Sequence, residues 1–275
     1  MNYILFYTGK VPKYVNFSID SIIKAENSSD NIYFCTDQKP FRSDIEFIHI
    51  NEINSNLISE FNKLDYFKNE INPLWKTSLS RIFYLFEVSN YLNIFNFIHF
   101  DCDVLVYKSF QELKNNFIAG KINITPLNEL FLNFSYSYFD NKRHFENLCN
   151  NILKILSDSS IYEKKYYEGR RLNEMVLMNI SYINNPNEFN LLDVLPNYKT
   201  DIIFDPGSYG QYIGGTHNNR FSKKFINEDH YVGRNILRKD YKIEFKNKKP
   251  TVIHNGKLYN LANLHIHSKN LKNYV

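Results

Sequence analysis

A chain of 275 residues with 43% hydrophobic and 16% aromatic residues can bury a full core, and its composition excludes an intrinsically disordered protein. Its net charge of +4 is spread over scattered basic residues, densest at Lys164-Lys165, Arg170-Arg171, Lys223-Lys224 and 246–249, which reads as solvated surface and excludes a dedicated nucleic-acid binder. Three widely spaced cysteines, Cys35, Cys102 and Cys149, form no CxxC pair and exclude a disulfide framework or a zinc ribbon.

The chain opens on NYILFY (residues 2–7), a buried strand closed by Thr8-Gly9. This run is too short for a signal-peptide core, and no stretch reaches the roughly eighteen apolar residues of a membrane span. The expected location is therefore the cytoplasm, at most peripheral to the inner face of the plasma membrane. Residues 14–26 place Val15, Ile19, Ile22 and Ile23 at helical spacing after Pro12. Strands are expected at 31–35, closed by Thr36-Asp37, and at 45–50. Strand, helix, strand in this order predicts an α/β fold with a mostly parallel sheet.

A long helix is expected over 75–93, with Leu79, Ile82, Phe83 and Phe86 on one face and Thr77, Arg81 and Tyr84 on the other. It leads into FIHFDCDVLVY (97–107). On a continuous strand Asp101 and Asp103 share one face, about 6.6 Å apart at a rise of about 3.3 Å per residue, while Cys102 packs on the other. Carboxylates this close to each other and to an apolar run need a neutralising partner, and a divalent cation that favours hard oxygen ligands, Mg²⁺ or Mn²⁺, is the simplest one. His99, deeper on the same face, reads as a buried, hydrogen-bonded histidine. Beyond it the pattern predicts a helix at 172–180, the apolar segment LLDVLP, a structured glycine-rich loop at 206–215, short strands within 241–254 and an irregular tail at 255–275.

The segment from Ser78 to Phe110, an arginine-bearing helix leading to a strand that ends in Asp-x-Asp, resembles the central block of GT-A fold glycosyltransferases, especially bacterial relatives of glycosyltransferase family eight. The resemblance implies one Rossmann-like α/β domain over 1–275, a mostly parallel central sheet flanked by helices with a smaller C-terminal acceptor-side region. Residues 1–120 would form the nucleotide-sugar half and 121–275 the acceptor half with the tail. It further implies a nucleotide-diphosphate sugar as donor, Mn²⁺ or Mg²⁺ held by Asp101 and Asp103, and Arg81 facing the donor. Tyr7, Thr8, Gly9 and Asp37 are similar to the family's base and ribose contacts.

LNEMVLMNISYI (172–183) is similar to the family's acidic helix start, which implies that Asn173 and Glu174 sit beside the transferred sugar, although Asn-Glu replaces the usual pair of aspartates flanking glutamine. NLHIHSKNLK (263–272) stands in the place of a His-x-Gly-x-x-Lys-Pro-Trp segment without its Gly and Pro-Trp. His267 is the expected third metal ligand, with His265 on the same face, and Lys269 is expected to reach the diphosphate. FDPGSYGQYIGGTHNN (204–219) resembles a glycine-rich segment of bacterial polysaccharide glycosyltransferases, implying that Asp205, Gln211 and His217 shape the acceptor site.

The expected function is metal-dependent hexosyl transfer to a glycan or lipid-linked saccharide in the synthesis of bacterial capsule or lipopolysaccharide, with no nucleic acid involved. Family eight is retaining, and Glu174, Asp205 and Glu129 are all available as a base. A two-metal nucleotidyltransferase and a noncatalytic carbohydrate-binding protein are the alternatives.

Overall fold

The computed structural model describes residues 1–53, 55–68, 73–216, 225–238 and 241–275. It begins with β1 (Asn2–Tyr7), α1 (Tyr14–Glu26), β2 (Ile32–Thr36) and β3 (Glu46–His49), the three strands pairing in parallel. Along β1, Ile4 and Phe6 enter one apolar cluster and Tyr3 and Leu5 the other, as the two-residue period of a strand covered on both faces requires. Next come α2 (Asn56–Lys63), N-capped by the Ser55 hydroxyl, and α3 (Pro73–Tyr91), which buries Leu79, Ile82, Phe83 and Phe86. β4 (Phe97–Phe100) and β5 (Val104–Val106) follow, and Ser109 and Glu112 form a capping box on the short α4 (Phe110–Leu113).

The second half supplies β6 (Ile122–Pro126), β7 (Leu132–Phe139), α5 (Lys142–Ser157), α6 (Ser159–Tyr166), α7 (Glu174–Asn184), β8 (Phe189–Leu191) and β9 (Ile202–Ile203). After α8 (Ser208–Gly214) and α9 (Tyr231–Leu237), the chain ends in β10 (Lys242–Lys246), β11 (Lys249–His254), β12 (Lys257–Leu261) and β13 (Asn263–His265).

The seven-stranded central sheet has the order β3-β2-β1-β4-β7-β6-β8, parallel throughout except that β7 runs against both of its neighbours. Residues of α3, α5 and α7 pack on one face, and α1 packs on the other. This is the mixed α/β, mostly parallel architecture expected from the alternation of strands and helices. Strand order reverses between β1 and β4: β2 and β3 lie to one side of β1, and β4 lies to the other. Because β1 and β4 are parallel, Thr8-Gly9 and Asp101 to Asp103 emerge at the same edge, the crevice where open α/β sheets bind ligands.

Two expectations are corrected here. Residues 101–103 are a turn rather than part of a strand, closed by Val104 N donating to Asp101 O at 2.9 Å. The chain changes partners at this point: β4 pairs with β7 as far as Phe100, whereas β5 pairs with β13, His265 opposite Val104. The region 255–275 is also not irregular. β12 joins a four-stranded sheet of order β10-β11-β12-β9, and Tyr259, Leu261, Leu264, Ile266 and Leu271 are buried in a third apolar cluster with Tyr209 and Val232.

Candidate active site

The turn after β4 is fixed on three sides. The Ser18 hydroxyl of α1 donates to Val104 O at 2.7 Å and the Ser21 hydroxyl accepts from Val106 N at 3.0 Å, so α1 satisfies the edge of β5 that β13 leaves open. Ile266 N donates to Asp103 O at 2.9 Å, locking the end of β13 to the turn. Cys102 points into the core and donates to Phe6 O, the packed role expected of it.

This arrangement brings His265 rather than His267 to the acidic pair. His265 Nε2 lies 3.1 Å from Asp103 Oδ1 and 4.0 Å from Asp101 Oδ2. Asp101, Asp103 and His265 each present one ligand atom, all within 4.8 Å of one another. Two carboxylates and one imidazole are a donor set that fits a divalent cation. His267 does share the face, its ring stacked on His265 at 4.2 Å, but it lies beyond the paired part of the strand and its Nε2 meets Gln211 Nε2 at 3.3 Å. Burial pushes the His267 pKa down to about 2.

Two cations answer the acids. Arg81 of α3 places Nη1 on Asp101 Oδ1 and Nη2 on Glu174 Oε1 at 2.7 Å, with Phe134 under its guanidinium at 5.5 Å. Lys269, at φ +62° in a turn closed by its N–H on Ile266 O, donates from Nζ to Asp103 Oδ2. Burial opposes ionisation of Asp103, yet His265 and Lys269 outweigh it and hold the carboxyl well below its usual range. Burial raises the Glu174 carboxyl, with Arg81 acting against the shift.

The remaining candidates have defined places. Asn173 is the N-cap of α7, its Oδ1 accepting from Val176 N at 3.1 Å, and this cap sets Glu174 at the first turn, facing Arg81. Gly9, at φ +83°, donates its N–H to both Asp37 oxygens at 2.9 and 3.1 Å, tying the ends of β1 and β2 together beside Tyr7 and Thr8. His99 is wholly buried, with Nδ1 2.9 Å from Ile4 O and Nε2 without a hydrogen-bond partner, so only half of its expected satisfaction is realised.

Asp205, a candidate base, has both carboxylate oxygens engaged by backbone N–H groups. Its Oδ1 accepts from Gly207 N and Tyr209 N at 2.8 and 2.9 Å, and its Oδ2 from Gly210 N and His265 N at 2.8 and 2.9 Å. With Asn263 bonding its backbone on both sides, it ties the start of α8 to β13 and so positions His265. A Cβ at Gly210 would overlap the His265 carbonyl, which is why the glycine stands there. Glu129 is engaged by Arg234 at 2.9 and 2.7 Å, a hydrogen-bonded pairing that lowers its pKa to about 2. His217 and Lys223-Lys224 lie outside the described residues.

Sequence reasoning missed Tyr14, whose ring lies 5.5 Å from Lys269 Nζ. Its only sequence signal is an aromatic residue in the first turn after a strand-end loop.

No known protein family matches this chain by sequence, and no curated protein does. Among solved structures, it is similar to mouse xyloside xylosyltransferase 1, with 12% identity over 70% of this chain and 84% of that one and a TM-score of 0.47. It is also similar to the galactosyltransferase LgtC in complex with donor and acceptor sugar analogs, with 13% identity over 65% of this chain and 69% of that one and a TM-score of 0.42. For the glycosyltransferase GlyE of Streptococcus pneumoniae TIGR4 the figures are 12%, 70% and 45%, and a TM-score of 0.37.

Proposed function

We propose that this chain is a GT-A type glycosyltransferase that moves a sugar from a nucleotide-diphosphate donor to a glycan or lipid-linked saccharide. The observation that carries this reading is the cluster of Asp101, Asp103 and His265 at the point where strand order reverses, at the shared C-terminal edge of β1 and β4. When bound, a divalent cation there supplies positive charge to the diphosphate as the bond to the sugar breaks.

The chain's own residues divide the rest of the task. Asp101, Asp103 and His265 would hold the ion. Tyr7, Thr8, Gly9 and Asp37 form the wall of the crevice suited to base and ribose, and Lys269 is within the same site to meet the diphosphate. Arg81 orients Asp101 and Glu174 together, so the Glu174 carboxylate is positioned to support positive charge on the sugar, consistent with a retaining course. Asn173 acts through the helix start that it caps. In this division residues 1–120 supply the nucleotide side and 121–275 the acceptor side, with the tail returning to complete the donor site.

The third member of the cluster is an imidazole rather than the additional carboxylate that two-metal nucleotidyl transfer uses, which favours sugar transfer over that alternative. Building of bacterial surface polysaccharide at the inner face of the membrane fits this chemistry. Among the described residues no helix is long and apolar enough to cross a membrane. The test is turnover of a panel of nucleotide sugars with Mn²⁺. One donor should be consumed, and Asp103→Ala should abolish its consumption while the protein stays folded. Unchanged turnover by that variant overturns the reading.

A further inference from the structure

Each aspartate of the acidic pair is met by a cation, Arg81 on Asp101 and Lys269 on Asp103, and the two differ in kind. Arg81 is anchored by Asp101, by Glu174 at 2.7 Å and by the Phe134 ring, and 13% of its side chain is exposed. Lys269 leans on Asp103 and the edge of the site beside Tyr14, and 29% of its side chain is exposed against 6% for Asp103. A lysine is a compact charge on a flexible four-carbon stem, able to move its ammonium while its backbone stays in place. The Lys269 backbone is held in the turn that follows Ile266.

Lys269 sits on Asp103 Oδ2 and His265 faces Oδ1, and an ammonium and a divalent ion held on the two oxygens of one buried carboxylate repel each other. A buried carboxylate is costly without a positive partner, and beside His265 the charge on Asp103 is answered by Lys269 when no ion is bound. We infer that Lys269 is a tethered substitute for the divalent cation: its ammonium and the ion are alternative occupants of Asp103. Loading the ion turns the ammonium out into the crevice, where an anionic diphosphate then receives it. Lys269 thereby weakens binding of the ion alone and couples it to binding of the donor, each raising the affinity of the other. This rests on the function proposed above, and it adds what that reading does not require, a penalty on metal binding that removal of one positive charge relieves.

The experiment is a titration of the full chain with Mn²⁺ alone, followed by electron paramagnetic resonance, for wild type, Lys269→Met, Lys269→Arg and Lys272→Met. Lys269→Met, which keeps an unbranched side chain without the charge, should bind Mn²⁺ tighter by on the order of tenfold, while Lys269→Arg stays close to wild type. Lys272→Met, which removes a charge from the exposed tail, should change little. His265→Ala in the Lys269→Met background should abolish the gain. Should Lys269→Met fold poorly, Lys269→Gln replaces it, and stabilisation of that variant by Mn²⁺ should exceed that of wild type.

Equal or weaker Mn²⁺ binding by Lys269→Met overturns the inference and leaves the glycosyltransferase reading standing. So does an equal gain in Lys272→Met, which would mark a general charge effect. Absence of Mn²⁺ binding in every variant overturns both.

Discussion

Arg81 and Glu174 are 93 positions apart in the chain, and Arg81 Nη2 lies 2.7 Å from Glu174 Oε1. The other terminal nitrogen of the same guanidinium holds Asp101, so one side chain joins α3, the acidic turn and the start of α7. Removing one member of a buried ion pair leaves the other unpaired, at a cost of about 3–5 kcal/mol. Arg81→Ala should therefore lower unfolding stability by roughly this amount and abolish transfer, as read by urea denaturation and donor turnover. Arg81→Lys keeps the charge but cannot span both carboxylates and should recover stability more than activity. Full activity in Arg81→Lys would show that the double contact is dispensable.

Asp205 separates a structural role from a catalytic one. Its four backbone N–H partners leave no free oxygen lone pair aimed at a substrate. In Asp205→Asn the new amide N–H₂ faces two of those donors, and stability should fall by about 2–3 kcal/mol, the cost of leaving buried polar groups unsatisfied. Mn²⁺ affinity should fall with it, because His265 is positioned through the same carboxylate. A variant with the wild-type melting temperature and lost turnover would instead return Asp205 to the role of base.

Acid sensitivity should begin well above the range of the carboxylates. Burial lowers the His230 pKa from 6.5 to about 4, with Ser208 Oγ at 2.8 Å from Nδ1 and Asn227 Nδ2 at 3.0 Å from Nε2. Between these two pH values the unfolded chain binds more protons than the folded one, so stability rises with pH across the window. Its contribution is complete above pH 6.5 and is lost as pH falls towards 4, by up to roughly 3 kcal/mol at about 1.4 kcal/mol per unit. The melting temperature should decline from pH 6.5 downward, and His230→Gln should flatten the decline. An unchanged slope in that variant would contradict the assignment.

The first strand and first helix were legible in the sequence to the residue, because a short apolar run closed by Thr8-Gly9 and a helical repeat of Val15, Ile19 and Ile22 are local signals. The convergence of the acidic pair was legible for a subtler reason. Alternation along a strand is not what brings Asp101 and Asp103 together, yet the turn that replaces it also converges them. What local pattern could not reveal was pairing across long separations. β13 reads as coil until β5, more than 150 residues earlier, is set against it. That register also brings His265, rather than the expected His267, beside the acidic pair. Asp205 and Glu129 looked available because their partners, the backbone of 207–210 and Arg234, are invisible to residue type alone.

The most direct test of the central claim is the melting temperature of the full chain with nucleoside diphosphates, in Mn²⁺ and in EDTA, for wild type and Asp103→Asn. A nucleotide site built on Asp101, Asp103 and His265 predicts that one nucleoside diphosphate raises the wild-type melting temperature in Mn²⁺, that EDTA removes most of the rise, and that Asp103→Asn loses it. A rise of equal size in EDTA, or in Asp103→Asn with Mn²⁺, would contradict a metal-held donor site.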